Sequence, residues 1–306
     1  MAGSGEQGRI VAPMVTETPW DATTVTALGE GRYAATIGRE WVLALAPQGG
    51  LIAAVAARAM ASELHTDEGV PQPLRSMHGV FVSPVPAGPV EIDVTVLRRG
   101  RSVSQAQATL RAPDATTGYT ALAVFGAERP GFTFTELEFP DVPAAEDQPS
   151  FRDPLPPEAG VRDRWPMPFW DEVLEGRPAI GHPFWDPTPR DQARSACWFR
   201  FDDQPLTADG RLDPLALFVL ADVMPNAVFE RIGPTEERYF APSTDLTTHL
   251  FGPTTPGWIL ADYKAHLAGE GYASVEAALW DPRGEGGPTL VAYATQQMFF
   301  TAYDPG

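Results

Sequence analysis

The sequence predicts an α+β protein made of two diverged copies of one unit, each an antiparallel sheet wrapped around a central helix. Three observations lead there. The segments 51–64 and 215–233 are helix-forming and apolar on nearly every face, and such a helix is enclosed rather than laid on a surface. Each is followed by strand-like stretches set off by turn residues. Moving the first half along by 169 positions puts Pro84 on Pro253, Gly88 on Gly257, Asp93 on Asp262 and Gly100 on Gly269. The same shift puts Leu110 on Leu279, Pro113 on Pro282, Gly118 on Gly287 and Thr120 on Thr289, with no gap from about 81 to 128. The matched glycines and prolines fall at turns, where backbone geometry limits substitution. A common register with the same strand pattern points to internal duplication. Antiparallel strands joined by short turns curve readily enough to cover such a helix.

Element by element, residues 1–19 read as a loose arm, followed by strands at 32–37 and 40–45. Pro47, Gly49 and Gly50 then lead into the alanine-rich run LIAAVAARAMASEL, which ends in a polar turn at His65–Gly69. Beyond Pro71 and Pro73, Val90, Ile92, Val94 and Val96 alternate with Glu91, Asp93 and Thr95, the signature of a half-buried strand. Gly88 and Gly100 bracket it, and 102–110 and 120–125 supply two more strands. The stretch 131–190 is dense in proline and acids and reads as a connector. Its aromatics Trp165, Phe169, Trp170, Phe184 and Trp185 imply that it packs onto the body. After a strand at 196–201, Asp213 and Pro214 suit the N-cap and first position of a second helix, LALFVLADVMPNAVFERIG. Strands follow at 245–251, 258–266, 272–279 and 290–299. The expected division is an N-terminal unit at 1–130, the connector at 131–190 and a C-terminal unit at 191–306.

Bulk properties narrow the function. With 306 residues, 43% hydrophobic and 20% charged, the composition is that of a globular protein. A net charge of −18 repels nucleic acid phosphates and anionic lipid, so neither is an expected partner. No apolar run reaches the ~18–20 residues of a membrane span, and MAGSGEQGRIVAP lacks the pattern of a secretory signal. The single cysteine, Cys197, fits a reducing cytoplasm and, between apolar neighbours, reads as a buried small residue rather than a reactive thiol. The chain shows no GxSxG elbow, no HExxH or CxxC spacing and no glycine-rich phosphate loop. No metal or cofactor is expected.

Polar residues at core-adjacent positions mark the second copy alone. Asp222 lies within LFVLADVMP with no cationic partner at helical spacing, and its counterpart in the first helix is Ala53 or Arg58. A carboxylate on an enclosed helix is costly unless hydrogen-bonded or functional; the alternative is a solvent-facing stripe. Ser243, at the head of PSTDLTTHLF, corresponds to Leu74, and Gln296, in LVAYATQQMFF, to Ala127. Strand alternation turns the neighbouring Gln297 to the opposite face. The five histidines are scattered.

With PQGGLIAAVAARA, VTVLRRGRSVSQAQATL, LADVMP, PSTDLTTHLF and LVAYATQQ in this order, the chain resembles the double-hotdog acyl-CoA thioesterases, the acyl-CoA thioesterase II group in particular. The resemblance covers roughly 20–130 and 190–300. It implies a tandem hotdog fold and hydrolysis of an acyl-CoA or acyl-carrier thioester. It also implies that Asp222, Ser243 and Gln296 hold the hydrolytic water, serine standing where threonine is common. An oxyanion donor is expected at Gly50, where glycine would let the thioester approach the backbone; a tight strand-to-helix turn is the plainer account. Arg98, Arg99 and Arg101 are candidates for the CoA phosphates, against a solvated turn. A homo-oligomer is compatible with the resemblance. The competing functions are a hotdog enoyl-thioester hydratase, which pairs aspartate with histidine, and an acyl-thioester binding protein without turnover.

Overall fold

The computed structural model describes residues 18–303 apart from 44–45, 66–69, 158–166, 183–185, 187, 189–190, 234–237 and 285. The first half contributes β1 (Thr26–Gly29), β2 (Arg32–Ile37), α1 (Gly49–Leu64), β3 (Leu74–Phe81), β4 (Gly88–Arg98), β5 (Val103–Arg111) and β6 (Tyr119–Gly126). The second contributes β7 (Leu174–Ile180), β8 (Arg194–Phe201), α2 (Ala216–Ala221), α3 (Pro225–Ile232), β9 (Arg238–Phe240), β10 (Asp245–Leu250), β11 (Ile259–Gly269), β12 (Tyr272–Asp281), β13 (Thr289–Phe299) and β14 (Thr301–Tyr303). Twelve strands form one sheet in the order β1-β2-β4-β5-β6-β3-β10-β13-β12-β11-β8-β7, and β9 pairs separately with β14. Read outward from its centre, the order is the same in both directions. This is the tandem hotdog fold, each half-sheet curving over its own helix.

The repeat is visible at the seam. β3 pairs antiparallel with β10, and the register sets His78 opposite Thr247. These two residues are 169 apart, and His78 Nδ1 lies 2.8 Å from Thr247 Oγ1. A residue and its own counterpart thus face each other, which places the pseudo-twofold axis between them. The turn glycines Gly88 and Gly257, matched by the same shift, hold φ of 120° and 122°. Both lie in the region that only glycine enters at little cost.

α1 is enclosed because it carries little bulk: Leu51 through Ala57 are buried in one unbroken run. Its first turn presses on α2 so closely that a Cβ on Gly50 would lie 2.1 Å from the Phe218 carbonyl oxygen. An ion pair between Arg58 of α1 and Asp213, ahead of α2, ties the halves again. No helix among the described residues is long and apolar enough to cross a membrane.

Four expectations change. The strand at 40–45 is instead a 3-10 turn, Arg39–Trp41, because Trp41 turns inward, fully buried with its ring 6.0 Å from Phe169; residues 44–45 lie outside the described set. β3 is an addition to the strands expected. The stretch read as a connector supplies β7, an edge strand paired with β8. The second helix is two helices, broken after Ala221. Residues 139–145 lie against the outer face of the second half-sheet, where Phe139 meets Trp280 at 5.8 Å and Trp198 Nε1 donates to the Pro143 carbonyl at 2.9 Å, while Phe151 and Phe169 pack into the main core. Trp170 stacks on Phe199 at 5.9 Å, whereas Trp165, Phe184, Trp185, most of the arm and most of the turn after α1 lie outside the described residues.

Candidate active site

The break in the second helix follows from Pro225. Proline offers no N–H to the carbonyl four residues back, Ala221, and its ring crowds that carbonyl. α2 therefore stops at Ala221, and Asp222 closes it as C-cap with φ −88° and ψ 27°, its N–H donating to Phe218 O at 3.1 Å. α1 has Ala53 and Ala56 at the positions corresponding to Asp222 and Pro225, and it runs without interruption.

The Asp222 carboxylate is half-buried and points at the N-terminus of α1. Oδ2 accepts the backbone N–H of Gly50 at 3.0 Å. Oδ1 accepts Gln296 Nε2 at 2.5 Å and Ser243 Oγ at 3.2 Å. Three separate elements of the second half thus meet one helix of the first. Ser243 reaches the site because its backbone bridges to Met298 of β13 just before β10 begins. Gln296 projects inward from β13 at 2% exposure, and Gln297 faces solvent, as strand alternation requires. Burial pushes the Asp222 carboxyl up to about 6; the bonds from Gln296, Gly50, Ser243 and Gly49 pull the other way without cancelling it. The partial positive charge of the helix N-terminus also favours the carboxylate. The outcome is a carboxyl that titrates near neutrality, the range in which a general base works best.

Three further residues build the site, of which Gln48 and Gly49 belong to the PQGG segment, where the sequence marks only the turn into the helix. Gln48, fully buried, caps α1 by accepting Leu51 N–H at 2.9 Å, while its Nε2 donates to the Val219 carbonyl of α2 at 2.9 Å. Gly49 is glycine because a Cβ there would sit 2.7 Å from Asp222 Oδ2 and 2.8 Å from the Phe81 ring. Tyr119 is buried with its hydroxyl above Gly79 and without a partner among the described residues. Its phenol is held well above the usual range by burial, with Asp222 and Asp245 adding to it.

Gly50 lies at the site, as expected, and makes two contacts there. Its small size serves the contact of α1 with α2, and its N–H is bound to Asp222 Oδ2. The arginines lie elsewhere. Arg99 closes the far end of α1, donating to the carbonyls of Leu64 and Glu63 at 2.9 Å each. From Gly50 to Leu64 the helix rises roughly 21 Å at the usual ~1.5 Å per residue. Arg98 and Arg101 beside it are exposed. Cys197 is buried, and burial pushes its thiol up to about 12, which makes it inert.

Two family models match the chain in sequence. Residues 37–126 match the acyl-CoA thioesterase N-terminal domain and residues 139–300 the acyl-CoA thioesterase C-terminal domain. The chain belongs to the acyl-CoA thioesterase family. It is a thioester hydrolase, and the family's substrate is an acyl-CoA thioester. No curated protein matches the thioesterase. Among solved structures, a hot dog fold protein of unknown function from Alicyclobacillus acidocaldarius superposes with a TM-score of 0.74 at 24% identity, covering 95% of this chain and 100% of that one. Acyl-CoA thioesterase II TesB2 from Mycobacterium marinum gives 0.68 at 17% identity, over 94% and 100%. The TesB protein of Mycobacterium avium gives 0.67 at 19%, over 92% and 97%. These likenesses concern the fold of the thioesterase; the two sequence matches carry the family.

Proposed function

We propose that the enzyme hydrolyses acyl-CoA by direct attack of water, with Asp222 as general base and Ser243 and Gln296 as the residues that orient that water. The observation that carries this is the carboxylate at the seam: one aspartate, raised to about 6, held by a serine, a glutamine and a helix N-terminus. Asp222 takes a proton from water as its oxygen bonds to the thioester carbonyl carbon. The C–S bond then breaks, the acid departs, and the thiolate recovers the proton. Gln296 Oε1 is buried and has no partner among the described residues, so it is free to accept the water's second hydrogen. No covalent acyl-enzyme is needed. The donors around Asp222 are glutamine, serine and backbone amides rather than histidine, which favours hydrolysis over hydration of an enoyl thioester. Of the three arginines considered for CoA phosphates, Arg99 donates to the end of α1, while Arg98 and Arg101 are exposed.

A panel of acyl-CoAs assayed with the wild type and with Asp222→Asn tests the assignment. Loss of ~10²–10⁴ in kcat in the variant supports it. Full activity in the variant overturns the role given to Asp222, and equal inactivity of both proteins on every ester supports a binding protein instead.

A further inference from the structure

Two carbonyls of α2 accept side chains just where the helix ends. Val219 O receives Gln48 Nε2 at 2.9 Å, and Leu220 O receives the hydroxyl of Tyr263, fully buried in β11, at 2.5 Å. Leu220 lies two residues before Asp222. The repeat explains why this tyrosine belongs to the second half: its counterpart 169 positions earlier is Val94, which is apolar and buried, and the helix above Val94 is unbroken. Tyr263 thus joins Pro225, Ser243 and Gln296 as a residue whose first-half counterpart at the same shift (Ala56, Leu74 and Ala127 for those three) is apolar. A hydroxyl in an enclosed core is costly unless an acceptor matches it. Here the acceptor is a carbonyl beside the broken turn.

We infer that Tyr263 is a positioning residue for the reaction: through the Leu220 carbonyl it fixes the turn that aims Asp222 at Gly50, Ser243 and Gln296. The inference rests on Asp222 being the base. Pro225 breaks the helix, but a break alone leaves the turn free to swing. Gln48 holds it from the first half and Tyr263 from the sheet beneath. Displacement of a reacting group by about 1 Å can cost 10²-fold in rate, so a tether two residues from the base bears on kcat. The titratable groups facing Asp222 are Tyr119 from β6 and Tyr263 itself, both phenols that burial keeps protonated, with Asp245 beyond Tyr119.

Tyr263→Phe keeps the ring and removes only the tether. The expected result is a ~10- to 100-fold fall in kcat with KM changed less than about threefold. The acid limb of the rate profile should also move above pH 6, as Asp222 draws away from the donors that lower it. Unchanged kcat and an unmoved limb, alongside a lower melting temperature, would assign Tyr263 to stability alone and overturn the inference. The position of the limb does not depend on the fraction folded, so a weakened variant still reports. Gln48→Leu, which releases the other tether, supplies a second variant with the same expected signature. Asp222→Asn assayed in parallel separates the two claims: if it retains full rate, the base is wrong; if it is inactive while Tyr263→Phe matches the wild type, only the tether is wrong.

Discussion

Replacing Asp222 by asparagine removes the titrating carboxyl while keeping its shape, and two consequences can be worked out from the site. The folded-state carboxyl sits at about 6 against the ordinary aspartate value of 3.8. Because its value is raised, the stability linked to it is fully present below the unfolded pKa and is lost as pH rises through 4 to 6. At about 1.4 kcal/mol per pKa unit, the ionised carboxylate costs about 3 kcal/mol above pH 7. Roughly half of that loss falls between pH 5 and pH 8. The Asp222→Asn protein escapes it but sets an NH₂ against the Gly50 N–H or against the other donors, at a cost of about 1–2 kcal/mol that does not vary with pH. Chemical denaturation of both proteins at pH 5 and pH 8 isolates the pH-dependent part. The stability of the variant relative to wild type should improve by about 1.5 kcal/mol from pH 5 to pH 8. A relative stability unchanged between the two would refute a raised Asp222.

Other perturbations check the remaining contacts. Ser243→Ala should lower kcat about tenfold by loosening Asp222 Oδ1, and Ser243→Thr should restore it, as read by steady-state kinetics. Gly50→Ala forces a Cβ to within 2.1 Å of Phe218 O, and denaturant melts should show a loss of about 1–3 kcal/mol. Tyr119→Phe deletes a buried hydroxyl with no partner among the described residues; the same melts should show unchanged or higher stability, by about 1 kcal/mol.

Much of the fold is legible because duplication leaves a trace in the turns. The shift that matches Gly88 with Gly257 and Gly100 with Gly269 is the same one that faces His78 with Thr247 across the seam. β4, with one face on the core, shows its alternation. β3 does not: LRSMHGVF mixes Gly79 and His78 into a central strand whose pairing comes from the other half. β7 is hidden by Gly176 and Pro178, which an edge strand tolerates and a sequence pattern treats as breaks. Pro225 announces the helix break, but the apolar run on both sides outweighs it. In the site, Asp222 stands out as a carboxylate on an enclosed helix with no acid at its counterpart, Ala53 or Arg58, and Ser243 and Gln296 because each replaces a carbon side chain of the first half. Tyr263 against Val94 satisfies the same criterion, yet a tyrosine in a strand raises no question on its own. Gln48 and Gly49 show only as part of the turn into α1, because their contacts lie across the seam, where no comparison of one half with the other looks.

The pH dependence of kcat/KM for wild-type hydrolysis of an acyl-CoA bears most directly on Asp222 as the base for a water held at this seam. A single acid limb bending near pH 6, with rate falling tenfold per unit below it, is the predicted profile. A rate level down to pH 4.5 would contradict it.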